Sequence, residues 1–360
     1  MSLMKRSIPA ILIILISSAP LVYYQLGSLV YEQAAATNPD CSGHSKYNTP
    51  DKFSSHLWDE KLEEGLYHEN DTIAKDETSM SHYWFNEWKN VTIDVPDEPI
   101  TLSAWVMEAN ESRPWVIFAH GIRSCKANHE VLLPAAMLHQ ADFNVVLFDM
   151  RDHGESSVED GLVSAGQREY RDVLAVWQWI QTSHDVPPQS IGAVGISLGA
   201  GAVAIAFDQE PDLQAIFLDS SFSSMDLIIQ EELEFGGFPL FLKDASIFAG
   251  KLQSGDNLVK HEPLSAGVNI GNRSMFITQS NDDVRIKIHH GKSLCGAATS
   301  NVENDGYVEC WFENSSIAHD DSGQAGVLSH ITLMLTQPDL YEEKLVGFFE
   351  QSLSNSSSVD

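Results

Sequence analysis

Apolar residues run through this chain in two rhythms. VTIDV (91–95) and ITLSAWVME (100–108) alternate apolar with polar positions, and a turn carrying Pro96, Asp97 and Pro99 joins them, which predicts an antiparallel hairpin. The later runs WVIFAH (115–120), NVVLFD (144–149), IGAVGI (191–196), AIFLD (215–219) and SMFITQ (274–279) do not alternate. Short continuous apolar runs belong to strands covered on both faces. Segments of helical period separate them: in REYRDVLAVWQWIQ (168–181), Tyr170, Val173, Leu174, Trp177 and Ile180 share one face. Strands alternating with helices predict an α/β domain over residues 89–350, a mostly parallel central sheet with helices on both faces. Reactive groups of such a sheet gather beyond the carboxyl ends of its strands. Residues 222–272 break the alternation with apolar helical stretches, and read as a small helical lid or as helices completing the core.

Upstream of residue 89 this rhythm is lost. Lys5 and Arg6 precede an uncharged run from Ser7 to Tyr31, about the ~20 residues that span a bilayer and longer than the ~7–15-residue apolar region of a cleaved signal. The basic pair predicts a cytoplasmic N-terminus (1–6), a transmembrane signal anchor (7–31) and an extracytoplasmic remainder. Secretion after cleavage behind Ala34–Ala36 is the alternative. Residues 32–88 read as a membrane-proximal spacer whose aromatic end, HYWFNEW (82–88), is placed to dock on the domain, and 351–360 as a disordered tail.

Charge and cysteine content narrow the partners. A formal charge of −30, from 51 acidic against 21 basic residues, repels phosphate backbones and excludes nucleic acid. Four cysteines, Cys41, Cys125, Cys295 and Cys310, are too few and too scattered for a metal site or a disulfide framework. Cys295 and Cys310 either pair across a local loop or stand as separate buried thiols. No metal or organic cofactor is implied, and nothing in the sequence sets an oligomeric state.

One stretch carries nucleophile chemistry. In AVGISLGAG (193–201), Gly195-Ile196-Ser197-Leu198-Gly199 follows a predicted strand and opens a predicted helix. Small residues around Ser197 permit a tight, strained turn that projects its hydroxyl from the sheet edge. The Leu198 amide then lies at a helix N-terminus, facing a developing oxyanion. At the end of an earlier strand, His120-Gly121 places the Ile122 amide as a second oxyanion donor, with His120 bracing the loop.

HGIRS (120–124), LFDMRDHGES (147–156) and VGISLGAG (194–201), in this order and spacing, resemble the α/β-hydrolase superfamily. The likeness is strongest to its serine-hydrolase branch of monoglyceride-lipase-like, serine-aminopeptidase-like and prolyl-oligopeptidase-like domains. One position departs: the branch usually has D-x-R-G-H-G-x-S, and Asp152 replaces the first glycine here, which bears on the local loop conformation. The resemblance implies the α/β-hydrolase fold, an acid after a later strand and a histidine last in the chain. The family's acid is commonly followed by an apolar third residue and a leucine near the eleventh. Ile286 and Leu294 satisfy this from Asp283, whereas Asp282 meets Arg285 and Ser293, so Asp283 is favoured. Asp219, ending AIFLD, is a further candidate. His319 follows the last predicted strand, YVECWF (307–312), by seven residues and His330 by eighteen. The family's closing pattern, a proline eight and a tyrosine eleven residues on, favours His330 and makes 313–329 a polar insertion. His289 and His290 read as surface residues.

The implied activity is that of a membrane-anchored serine hydrolase acting on a small-molecule or lipid ester. Ser197 attacks, His330 is the base, Asp283 orients it, and Leu198 and Ile122 hold the oxyanion. The alternatives are a serine aminopeptidase-like peptidase and a non-catalytic hydrolase-fold binding module.

Overall fold

The computed structural model describes residues 4–37, 41, 48–53, 83–110, 112–255, 257–321 and 324–353, with the side chains of 4–16 and 317–328 outside the described set. Its strands are β1 (Lys89–Asp94), β2 (Thr101–Met107), β3 (Trp115–Ala119), β4 (Asn144–Phe148), β5 (Ile191–Ile196), β6 (Ala215–Asp219), β7 (Ser274–Ser280) and β8 (Val308–Glu313). They form one eight-stranded sheet in the order β1-β2-β4-β3-β5-β6-β7-β8. The expected hairpin is present as β1 and β2, antiparallel to each other and with β2 antiparallel to β4; every later neighbour is parallel.

The non-alternating strand sequences have a direct cause. Along β3, Ile117 and Ala119 enter one apolar layer, and Val116 and Phe118 enter the other. Helices α1 (Met4–Ala35), α2 (His129–Gln140), α3 (Glu169–His184) and α4 (Leu198–Gln209) precede the helical block α5 (Met225–Phe235), α6 (Lys243–Ser254) and α7 (Leu264–Val268). Helices α8 (His289–Asn301), α9 (Leu333–Thr336) and α10 (Pro338–Ser352) follow. Val173 of α3 and Val203 of α4 cover the Ile117 side; Leu132 of α2 and Phe348 of α10 cover the other. Each such side chain contributes roughly 1.5–3 kcal/mol by leaving water.

Topology places the site. The chain crosses from β3 to β4 on one side and then returns to β5 on the other, so β3 lies between them. Ala119 at the end of β3 stands beside Phe148 and Gly195, and Ile196 beside Asp219. The carboxyl ends therefore line up at a topological switch point, where a crevice opens.

The N-terminal segment departs from its expected bounds. The predicted span 7–31 lies within α1, a helix of 32 residues, but its last turns belong to the domain. Val30 and Tyr31 are buried, and the Val163 amide donates to Ala35 O at 2.8 Å. An uncharged helical run rich in apolar residues fits a lipid or a protein environment, so its sequence does not mark where one ends. Among the described residues, no helix is long and apolar enough to cross a membrane; the predicted span falls partly on side chains outside that set. From the predicted spacer, Phe53, Tyr83 and Phe85 are buried in the Val116 layer. Residues 38–40, 42–47, 54–82 and 354–360, including most of the predicted tail, lie outside the described residues.

The cysteines are not scattered thiols: Cys41 pairs with Cys125 and Cys295 with Cys310. Cys41 reaches a partner 84 residues away because α1 returns the chain to the loop after β3. Within 313–329, β9 (Ile317–Asp321) and β10 (Gln324–Leu328) form a separate antiparallel ribbon.

Candidate active site

β5 ends at Ile196 and α4 begins at Leu198, so Ser197 alone makes the turn. Its backbone sits at φ 54°, ψ −114°, a conformation costing on the order of 1–3 kcal/mol for a residue with a side chain. Both glycines of the motif are there for close approach. A Cβ on Gly195 would overlap Ala200, and one on Gly199 would overlap the Ala119 carbonyl. The turn is tied to the next strand by the Ser197 amide, which donates to Asp219 O at 2.9 Å.

Ser197 Oγ lies 2.9 Å from His330 Nε2, and His330 Nδ1 lies 2.8 Å from Asp283 Oδ2. With a carboxylate at Nδ1, that nitrogen carries the proton and donates, leaving the Nε2 lone pair for the serine hydroxyl. Asp283 is buried, and its Oδ1 accepts the Arg285 and Ile286 amides at 2.8 and 2.9 Å, which aims Oδ2 at the ring. His330 is followed by Ile331 at φ 58°, an outlier for a β-branched residue.

The rival candidates stand elsewhere. Asp282 is exposed. Asp219 is buried, accepts hydrogen bonds from Ser220 and Tyr341 at 2.9 Å each, and is pushed up to about 6 by burial. His319 sits on β9 opposite Gly326, with its side chain outside the described residues.

Leu198 is the first residue of α4 and Ile122 follows Gly121, whose own added Cβ would stand 3.4 Å from Ser197 Cβ. Neither the Leu198 nor the Ile122 amide has an acceptor among the described residues, so both remain available to a ligand oxygen. The Ile122 loop is held from several sides. Buried His120 donates from Nδ1 to Gly121 O at 2.7 Å and accepts the Met150 amide at Nε2, 3.1 Å, and burial lowers its pKa, keeping the ring neutral. Cys125 adds the disulfide to Cys41. Arg123 donates to Gln33 O and Ala36 O at 3.0 Å each, a cation on the last carbonyls of α1. Asp152 earns its departure from the family pattern: at φ 63°, its Oδ1 accepts the amides of Glu159, Asp160 and Gly161 at 2.7–3.0 Å.

Residues 114–253 match the family model described as alpha/beta hydrolase fold. An esterase of Pyrococcus furiosus, Pf2001, superposes with a TM-score of 0.57 at 20% identity, covering 74% of this chain and 93% of that one. This chain has the α/β-hydrolase fold. An acylaminoacyl peptidase of Pyrococcus horikoshii shares it at a TM-score of 0.50 and 16% identity, covering 76% of this chain and 42% of that one. In sequence, the chain is 33% identical over 157 residues (43% of its length) to an Escherichia coli protein described as an uncharacterized 31.7 kDa protein in the traX-finO intergenic region. That match spans about half, 53%, of the E. coli protein.

In this hydrolase-fold domain the α5–α6 block and the end of α1 close over a cavity of about 490 Å³ that reaches Ser197 and His330. Tyr31, Phe222, Met225, Leu233 and Ile247 make its wall apolar. Glu130, on the first turn of α2, also faces it; its carboxyl makes no hydrogen bond among the described residues, and burial pushes it up to about 7 against the pull of His330. Nothing in the sequence marks Glu130, because its place depends on how α2 meets the β3 loop.

His290 is not a surface residue as its neighbours on the helix suggested. It is fully buried, and its Nδ1 accepts the Ser223 amide at 3.1 Å, under the turn leading from β6 into the cap formed by α5, the Leu240–Leu242 turn and α6. Glu231, His289 and His290 bring three metal-type ligands together. Since His290 Nδ1 accepts, the neutral ring carries its proton on Nε2, facing Glu231 at 3.3 Å as a donor and not as a ligand. Lys287 Nζ, 3.4 Å from Glu231, further opposes a cation there.

Proposed function

We propose that this chain is a serine hydrolase that cleaves carboxylic esters, with a lipid acyl group as the acid part. The observation that carries this is the continuous hydrogen-bond path from Ser197 through His330 to Asp283. His330 Nε2 takes the hydroxyl proton as Ser197 Oγ bonds to the acyl carbon, and Asp283 offsets the charge of the imidazolium. The carbonyl oxygen becomes an oxyanion between the Leu198 and Ile122 amides, each such donor being worth about 10²–10³ in kcat. Collapse breaks the ester C–O bond, and the leaving alkoxide takes the proton from His330. Water then repeats the sequence on the acyl-enzyme and releases the acid and free Ser197.

The apolar cavity supports an acyl chain as the group bound. The fold is shared with an esterase and with an acylaminoacyl peptidase, so amides are the second substrate class. A peptidase selecting a free amine needs a fixed anion, and Glu130, the unbonded carboxyl in the cavity, is half neutral near pH 7. A non-catalytic module gives no reason for a strained serine aimed at a paired histidine.

The site operates outside the cytoplasm, tethered by the N-terminal segment. All four cysteines being paired suits an oxidising compartment, and the uncharged run behind Lys5 and Arg6 suits a membrane. Secretion after cleavage behind Ala36 is disfavoured, because it would remove Val30 and Tyr31 from the cavity wall. Hydrolysis of acyl esters of graded chain length beside aminoacyl amides tests the reading. Turnover of esters rising with chain length supports it, and a preference for amides overturns it.

A further inference from the structure

Eleven of the fourteen large apolar side chains exposed among the described residues fall on α1, α5, α6 and the turn Leu240–Leu242 that leads into α6. Leu21, Val22 and Leu26 present them from α1, and Leu240, Phe241 and Phe248 from the cap, with Phe241 68% and Phe248 52% exposed. They belong to one surface. Tyr23 Oη donates to Phe241 O at 3.2 Å, and the Tyr24 ring meets Phe248 edge-on at 6.4 Å. Scattered exposed leucines are ordinary, whereas a contiguous apolar face on packed neighbouring helices marks something that covers it.

Two observations say what covers it. α1, the single helix that presents Leu21, Val22 and Leu26, also carries the uncharged run that starts at Ser7 behind Lys5 and Arg6. A second copy of the chain would bring another formal charge of −30 against the first, whereas a zwitterionic lipid surface presents no such repulsion. The cavity meets the same face: Phe235 lines it and is also 64% exposed. Val30 and Ile247 line it from α1 and α6, the two helices that carry the exposed residues.

We propose that the α1–cap face seats on a zwitterionic lipid surface, so that a membrane-resident acyl ester passes from the lipid beside Phe235 into the cavity and reaches Ser197 without crossing water. The substrate half of this rests on the ester-hydrolase reading; the seating of the face does not.

The experiment uses the full chain with phosphatidylcholine vesicles and an environment-sensitive fluorophore attached at Phe248→Cys or, as control, at exposed Glu343→Cys on α10, which packs in the opposite layer. Vesicles are expected to shift the label at 248 to the blue and leave that at 343 unchanged. In parallel, Phe241→Ser with Phe248→Ser is expected to lower turnover of an ester dispersed in the vesicles by at least about tenfold, the scale of one lost phenylalanine burial. Turnover of a water-soluble short-chain ester should stay within about twofold, which also reports that the variant folds. A label at 248 that stays aqueous while the protein floats with the vesicles overturns the proposal. So does a shift that appears with protein concentration alone, which would assign the face to a second copy. A label that shifts while neither ester is hydrolysed keeps the docking face and overturns the ester reading instead.

Discussion

His330 Nε2 stands 2.9 Å from Ser197 Oγ across 133 residues of chain. The two arrive from different devices. Ser197 is held by a strand-to-helix turn whose flanking glycines allow helix α4 to approach β3, whereas His330 sits on a loop pinned through Asp283 and Ser329, whose hydroxyl accepts the Val284 amide at 3.2 Å. Asp283→Asn should therefore lower kcat by about 10³–10⁴ with little change in KM, since the amide reverses the donor pattern at Nδ1. Asp282→Asn, altering an exposed side chain, should stay within about twofold. Steady-state kinetics on one soluble ester compares the two.

The Cys41–Cys125 disulfide ties the loop bearing the Ile122 amide to the chain just beyond α1. In the chain-entropy account a loop of this length contributes about 4.5 kcal/mol. The double variant Cys41→Ser, Cys125→Ser should melt several degrees lower and lose kcat more than KM, because the Ile122 amide proposed to hold the oxyanion is no longer fixed. Removing Cys295–Cys310, which closes 15 residues on the far side of the sheet, should lower the melting temperature and spare kcat. Thermal melts and kinetics of both variants check the contrast.

Glu130 links the cavity to pH. Its carboxyl rises from 4.5 to about 7 in the fold because burial disfavours the charge. The folded state thus holds the proton longer than the unfolded state, and the stability this provides is complete below pH 4.5 and lost as pH rises through 7. Glu130→Gln keeps the neutral shape at every pH. It should be more stable than the parent by roughly 1–3 kcal/mol at pH 8 and gain nothing at pH 4, as read from denaturant midpoints at both values.

Asp152 offers a local test of its loop. Asp152→Gly restores the family's residue and tolerates φ 63° but loses three amide acceptor contacts, so it should cost about 1–3 kcal/mol with kcat unchanged. Asp152→Ala also meets the positive φ and should cost more. Equilibrium unfolding of the pair separates the two contributions.

Much of this arrangement is legible in the sequence, for a physical reason. Strands buried on both faces lose their alternation, and strand-to-helix turns need small residues, so IGAVGI followed by Ser197 announces both its place in the sheet and its turn. The α/β class follows from such patterns, and the α/β-hydrolase fold from the resemblance carried by HGIRS, LFDMRDHGES and VGISLGAG. Contacts between distant segments leave no such trace. Cys41 meets Cys125, and Arg123 caps α1, only because the N-terminal helix folds back on the domain. The apolar sequence of α1 is silent on where a protein surface begins. Burial of His290 and the place of half-buried Glu130 depend on the loops around them, not on their neighbours in sequence.

Labelling with a fluorophosphonate probe tests most directly whether Ser197 is an activated nucleophile. The 360-residue chain should be labelled stoichiometrically at Ser197, Ser197→Ala not at all, and His330→Ala far more slowly. Equal labelling of the parent and Ser197→Ala, or none of the folded parent, would contradict a hydrolytic role for this site.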